Sequence, residues 1–148
     1  MSPYLTVKGA SKAIEFYKAA FGATELYRLS DESTGNLGHA EIMLNGSHFM
    51  LADENLAWGN KSPETLTGTP VKFCLMVENT DAAVERAVAA GAFLEMPPAD
   101  MFYGFRCAAI RDPFGHQWMI QHEIEKVSPE EMQKRWAAML TSGDGCPG

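Results

Sequence analysis

No stretch of this chain approaches the roughly twenty uninterrupted apolar residues that a membrane span needs. The opening "MSPYLTVKGASK" also lacks the basic-then-apolar order of a secretory signal. These absences predict a cytoplasmic protein with no membrane partner. Cysteine is scarce, and Cys74, Cys107 and Cys146 are odd in number with no CxxC spacing. That pattern excludes a paired disulfide framework and a zinc knuckle, and it fits reduced thiols. Basic residues form no run, and 12 Lys and Arg face 19 Asp and Glu for a formal charge of -7. A groove for a polyanion would need a local basic cluster, so no nucleic-acid partner is expected. Also missing are a Ser-His-Asp spacing, a P-loop and a dinucleotide fingerprint, which removes support for nucleophilic hydrolysis, nucleotide binding and hydride transfer.

What the chain does contain is a duplication. Shifted by 70 residues, "VKGASKAIEFYKAAFGATE" from Val7 lies on "VENTDAAVERAVAAGAFLE" from Val77. The overlay pairs Val7 with Val77, Ala13 with Ala83, Ile14 with Val84, Glu15 with Glu85, and Ala19 and Ala20 with Ala89 and Ala90. After one gap Gly22-Ala23 meets Gly91-Ala92, and "NGSHFML" meets "FGHQWMI" with Gly46 on Gly115 and Met50 on Met119. With 46% hydrophobic residues in 148, the two halves can bury one sizeable core.

Each half reads as strand, helix, then three strands. A short alternating run ("PYLTV"; "VKFCLMV") leads into a helix with Ser11, or Thr80 and Asp81, near its start and Gly22 or Gly91 just past its end. "TELYRLS", "GHAEIML" and "SHFMLAD" follow in the first half, and "FLEMPP", "FRCAAIR" and "HQWMIQHE" in the second. The fold class predicted is α+β: paired βαβββ modules forming an open, curled mixed sheet, plus a C-terminal helix. The divisions are residues 1–56, a polar linker 57–69, residues 70–124, a helix over 127–141 and a flexible tail over 142–148. Ser128-Pro129-Glu130-Glu131 is a capping box that starts the last helix. Met132, Trp136, Met139 and Leu140 fall on one side of that helix, a stripe for packing onto the same subunit or a partner.

Strand alternation sorts side chains into two faces. Leu5 and Val7, with Phe73, Leu75 and Val77, form apolar sides expected beneath the helices. Opposite them stand Ser2, Tyr4 and Thr6, then Lys72, Cys74 and Met76, whose mixed chemistry suits a pocket wall. The same rule turns His39, Glu41, His48, Met50, Met119 and Gln121 toward that wall. "IRDPFGHQWMI" is a hairpin with its turn at Asp112 to Gly115. In it Trp118 and Ile120 pack inward, and His116 sits beside the turn as a surface or satisfied histidine.

Through "SPYLTV", "AIEFYKAAFGATELYR", "GHAEIML", "MVENTDAAVERAVAAGA" and "RDPFGHQWMI" the chain resembles the vicinal oxygen chelate superfamily over about residues 2 to 123. That superfamily includes glyoxalase I, the extradiol dioxygenases and the bleomycin resistance proteins, and the resemblance is to its PhnB-like branch. It implies paired modules curling around a ligand cavity, commonly in a homodimer. Metal-dependent members hold a divalent ion with four His or Glu side chains. Carried over by the shared valines, the turn and "AEIML", those places here are Ser2, Glu41, Lys72 and Met119. Only Glu41 is a ligand there, because a protonated lysine repels a cation and a thioether is too soft for hard metals.

Three functional readings follow, the first two with Tyr4, His39, Glu41, His48, Met50, Lys72, Cys74, Met119 and Gln121 as the expected ligand contacts. In the first, the chain is a small-molecule-binding protein that uses no metal or other cofactor. In the second, it is a lyase, isomerase or dioxygenase with a displaced zinc, iron, nickel or manganese at His39, Glu41 and Cys74. Alternatively, His39 and Glu41 bond to each other or to Lys72, and Cys74 is a small buried hydrophobe. Glu41 is the candidate catalytic residue: on an apolar wall its pKa would rise, suiting a general base, unless it pairs with Lys72. Tyr4, Phe102, Tyr103 and Phe105 could stack on a planar ligand or simply pack, and Arg106 could meet an anion or stand solvated. A third reading is a structural dimer that docks another protein through Trp136.

Overall fold

The computed structural model describes residues 1–143. The first half runs β1 (Tyr4–Val7), α1 (Ala10–Phe21), β2 (Thr24–Ser30), β3 (Leu37–Leu44) and β4 (Ser47–Asp53). A single 3-10 turn (Leu56–Trp58) and the short α2 (Pro63–Leu66) follow. The second half repeats the order as β5 (Lys72–Met76), α3 (Thr80–Ala89), β6 (Phe93–Asp100), β7 (Phe105–Arg111) and β8 (Gln117–Glu123), and α4 (Pro129–Ser142) ends the described chain. Cys146 and all but the first two residues of the expected tail lie outside the described residues.

Each half makes one four-stranded mixed sheet, in the orders β1-β4-β3-β2 and β5-β8-β7-β6, and neither closes on itself. The duplication is preserved residue by residue in the pairing. Tyr4 stands beside Met50 in the parallel β1–β4 pair, and Cys74 beside Met119 in the parallel β5–β8 pair. One register further across, Met50 faces Glu41 while Met119 faces Ala109. Backbone geometry is therefore shared between the halves, whereas chemistry on the equivalent positions is not.

One hydrophobic core serves both halves. Helix α1 buries Ala13, Ile14, Phe16, Tyr17 and Ala20, α3 buries Val84 and Ala87, and the two helices pack on each other. The expected inward sides hold, with Leu5, Val7, Leu75, Trp118 and Ile120 all buried. Aromatic rings knit the join: Trp118 lies 5.6 Å from Tyr17, 4.8 Å from Phe21 and 5.0 Å from Phe73 between ring centroids. Each such ring buries a large apolar area, which favours the folded state.

Helix starts depart from the sequence expectation. Ser11 does not cap α1; its hydroxyl accepts from Arg28 instead. The cap comes from the end of β4, where Asp53 Oδ1 accepts from the Gly9 and Ala10 N–H groups and Oδ2 from Leu37 N–H. A carboxylate at a helix N-terminus meets both the free donors and the positive end of the helix dipole. Asn79, rather than Thr80 or Asp81, caps α3 by accepting from Ala82 N–H. Ser128 caps α4 with Pro129 in the first turn, as its motif predicts.

The hairpin at Asp112 is architectural. Its carboxylate is 1% exposed and accepts four hydrogen bonds, from Tyr17 Oη, Trp118 Nε1 and the backbone N–H groups of Phe114 and His116. Gly115 carries φ +95, and an added Cβ would come 2.8 Å from Pro63 Cβ, so both conformation and space require glycine. His116 is buried rather than on the surface. Its Nε2–H donates to the Thr6 carbonyl of the other module, while Nδ1 has no partner among the described residues.

Candidate functional site

Opposite the helices, the first sheet presents a connected polar network. Register places Tyr4, Met50, Glu41 and Tyr27 in one row across β1, β4, β3 and β2. His39 lies two residues along β3 from Glu41, and His48 lies diagonally across on β4. The Glu41 carboxylate receives three side-chain hydrogen bonds: Tyr27 Oη at 2.7 Å and His39 Nε2 at 3.2 Å on Oε1, and His48 Nε2 at 2.6 Å on Oε2.

These donors reverse the sequence expectation for Glu41. Hydrogen bonds from Tyr27, His48 and His39 outweigh burial and hold the carboxyl at about 2, below its ordinary 4.5. The alternative partner is also absent: Lys72 makes no ion pair with Glu41, whose partners are the two histidines and Tyr27. Such a carboxylate is a poor general base, because it holds its negative charge and surrenders its lone pairs to fixed donors. It is well suited to orienting imidazoles.

The orientation propagates outward. With Glu41 ionised, each histidine presents Nε2–H to it, and in the neutral tautomer Nδ1 is then the acceptor on each ring. His39 Nδ1 accepts from Tyr4 Oη at 2.7 Å. His48 Nδ1 lies on the side of Ser2, whose hydroxyl is 3.4 Å away. The Tyr4 hydroxyl is raised above its ordinary pKa by burial, and the Tyr27 hydroxyl by its bond to Glu41.

The second sheet carries softer chemistry on the equivalent face. Cys107 S–H donates to Gln121 Oε1 at 3.2 Å, Tyr103 Oη lies 3.2 Å from the same sulfur, and Gln121 Nε2 donates to Met76 Sδ at 3.5 Å. Cys74 is exposed, not a buried hydrophobe, and burial around its sulfur still pushes the thiol above its ordinary pKa. Arg106 is a partly solvated strand charge paired with Asp81 and Asp100 rather than free for an anion. Tyr103 meets Phe102 edge-on and tilts against Phe105, and Phe102 tilts against Trp136.

A cavity of about 420 Å3 lies at the seam between the edge strands β1 and β5. Leu5, Leu44, Phe49, Phe73, Leu75 and Trp118 supply much of its apolar wall, and Ser2, Asn45, Ser47, His48 and Cys74 its polar groups. Asn45 ties the two halves there by donating from Nδ2 to the Met76 carbonyl at 2.7 Å. Of the sequence-predicted contacts, the structure brings Tyr4, His39, Glu41 and His48 into one network and places His48 and Cys74 on the cavity. Met50 lies in register between Tyr4 and Glu41, and Lys72, Met119 and Gln121 belong to the second sheet's open face. Sequence reasoning missed Tyr27 and the cavity's aromatic wall. A register shift between Glu25 and Tyr27 breaks the alternation that would have revealed the tyrosine.

The residues at the four superfamily metal places do not fit a divalent ion. They combine a hydroxyl, an ammonium, a thioether and a carboxylate whose oxygens already accept from three donors. Among the described residues no group of three or more His, Cys, Asp or Glu is arranged to hold a metal ion, the set His39, Glu41 and Cys74 included. No helix among them is long and apolar enough to cross a membrane.

Residues 3–120 match the sequence model of the family described as the Glyoxalase/Bleomycin resistance protein/Dioxygenase superfamily. The chain is 40% identical over 148 residues to the uncharacterized protein Mb0911c of Mycobacterium bovis, covering 98% of this chain and 95% of that one. The X-ray structure of the Arabidopsis thaliana gene product At5g48480 superposes with a TM-score of 0.66 at 32% identity, covering 81% and 95% of the two chains. A PhnB protein from Bacillus cereus shares the fold at 18% identity, with a TM-score of 0.63 and coverage of 82% and 98%.

Proposed function

Because this chain belongs to the Glyoxalase/Bleomycin resistance protein/Dioxygenase superfamily, we propose that it is a cytoplasmic small-molecule-binding protein of the PhnB-like branch. In this reading it works without a metal. The observation that carries the proposal is the seam cavity, a hollow of about 420 Å3 whose largely apolar wall also carries Ser2, Asn45, Ser47, His48 and Cys74. That composition is typical of sites that bind drug-sized molecules, in which apolar walls supply affinity and sparse polar groups select the occupant. Support for metal independence is the donor chemistry at Ser2, Glu41, Lys72 and Met119. A homodimer is part of the proposal: Tyr4, Leu26, Tyr27 and Leu29 are exposed on the first sheet and would be covered by a second copy.

The test uses the neutral fluorescent probe N-phenyl-1-naphthylamine with EDTA-treated protein. Saturable one-to-one binding is expected, with a rise in the thermal midpoint and a change in emission from Trp118, which lines the cavity. Cys74→Trp, at an exposed position on the cavity, should block it. Binding that survives Cys74→Trp would place the probe elsewhere. Binding that needs added zinc, iron, nickel or manganese would move the protein to the metal-dependent reading.

A further inference from the structure

Glu41 does more than occupy a family position: it binds one ring nitrogen of His48, a residue that lines the cavity. Its Oε2 receives Nε2 of His48 at 2.6 Å, so the proton of that ring is committed to the carboxylate. In the neutral imidazole the opposite nitrogen, Nδ1, is then a lone-pair acceptor on the Ser2 side, and both Ser2 and His48 line the cavity. At 3.4 Å the Ser2 hydroxyl is at the outer limit of a hydrogen bond, so Nδ1 retains capacity for a better donor. The remaining wall is aromatic and aliphatic, with Phe49 and Phe73 at 6.2 and 5.0 Å from the Trp118 ring.

We infer that the seam cavity takes a flat, neutral, mostly apolar ligand bearing one phenol-like or enol-like hydroxyl, and that this hydroxyl donates to His48 Nδ1. The inference rests on the reading of the cavity as a ligand site. Ligand shape follows from the aromatic wall, which rewards planar surface. Neutrality follows from the apolar wall, which penalises any charge taken out of water, while the Glu41 carboxylate behind the imidazole disfavours an anion in particular. The hydroxyl follows from the imidazole's fixed direction: an acceptor lining an apolar cavity favours ligands that can donate to it over isosteres that cannot. Glu41 is here a positioning residue. Its low pKa keeps the carboxylate ionised throughout the neutral range, so it remains the acceptor for His48 Nε2–H.

The test compares 2-naphthol with its methyl ether, 2-methoxynaphthalene, by titration calorimetry against the full chain. Wild type should bind the hydroxyl compound about fivefold or more tighter. In His48→Phe that preference should collapse to about twofold or less while the methyl ether still binds, which also shows that the variant is folded. In 15N-labelled wild type, the His48 Nδ1 resonance should shift on adding 2-naphthol and stay in place with the ether. Equal binding of the two compounds by wild type, or a preference that survives His48→Phe, overturns the acceptor role and leaves the cavity reading standing. Failure of both compounds and of N-phenyl-1-naphthylamine to bind overturns the cavity reading itself.

Discussion

The hydroxyl of Tyr17 donates to Asp112 Oδ2 at 2.7 Å across 95 residues of chain, joining the helix of the first module to the hairpin turn of the second. Both side chains are fully buried, and burial together with the neighbouring carboxylate drives the Tyr17 hydroxyl well above its ordinary pKa. With the His116 to Thr6 bond and the Arg86 bonds to the carbonyls of Lys18 and Ala19, it sets how the two sheets lie against each other. The seam cavity exists only in that arrangement.

Tyr17→Phe removes this bond with little change of volume. Trp118 Nε1 still serves the same carboxylate oxygen at 3.0 Å, so the loss is partial. Urea unfolding should show a decrease of about 1–3 kcal/mol, the cost of taking a donor from a buried charged acceptor. A change below about 0.3 kcal/mol would mean that the junction is held by ring packing alone.

Acid should separate wild type from Glu41→Gln. Folding lowers the Glu41 carboxyl from 4.5 to about 2, so its ionised form favours the native state. This contribution is complete above about pH 4.5 and is lost as the pH falls toward 2. Thermal midpoints of the two proteins should therefore differ most at neutral pH and converge on acidification. A gap that widens between pH 4.5 and 2 would contradict the three-donor arrangement.

Alkylation should distinguish the two described cysteines. Cys74 is exposed on the cavity, whereas Cys107 is 0% exposed beneath Gln121 and Tyr103. Peptide mass spectrometry after iodoacetamide treatment should find Cys74 modified at least tenfold faster. Because its thiol lies above the ordinary range, the rate should trail that of free cysteine at pH 7 and climb with pH. Saturating N-phenyl-1-naphthylamine should protect Cys74; an unchanged rate would separate probe and thiol.

Much of the architecture was legible because duplication and alternation are local patterns. Val7 on Val77 and Gly46 on Gly115 announced two equivalent halves, and period-two sorting turned His39, Glu41 and His48 to one face before any contact was known. The start of α1 was misread because its cap, Asp53, lies 44 residues from Gly9 in sequence. Tyr27 was missed for a related reason, since a bulge in β2 shifts its phase relative to Glu25.

What the sequence determined by itself, then, is the repeated order of strands and helices and the face on which each strand residue stands. Those follow from backbone periodicity and from side-chain transfer out of water, which act over a few residues. The state of Glu41 and the cavity beside His48 were decided only in three dimensions. Donors from β2, β3 and β4 converge on one carboxylate, and two packed modules leave a hollow between their edges. Electrostatics and empty space depend on distances between groups far apart in the chain, and only tertiary packing sets those distances.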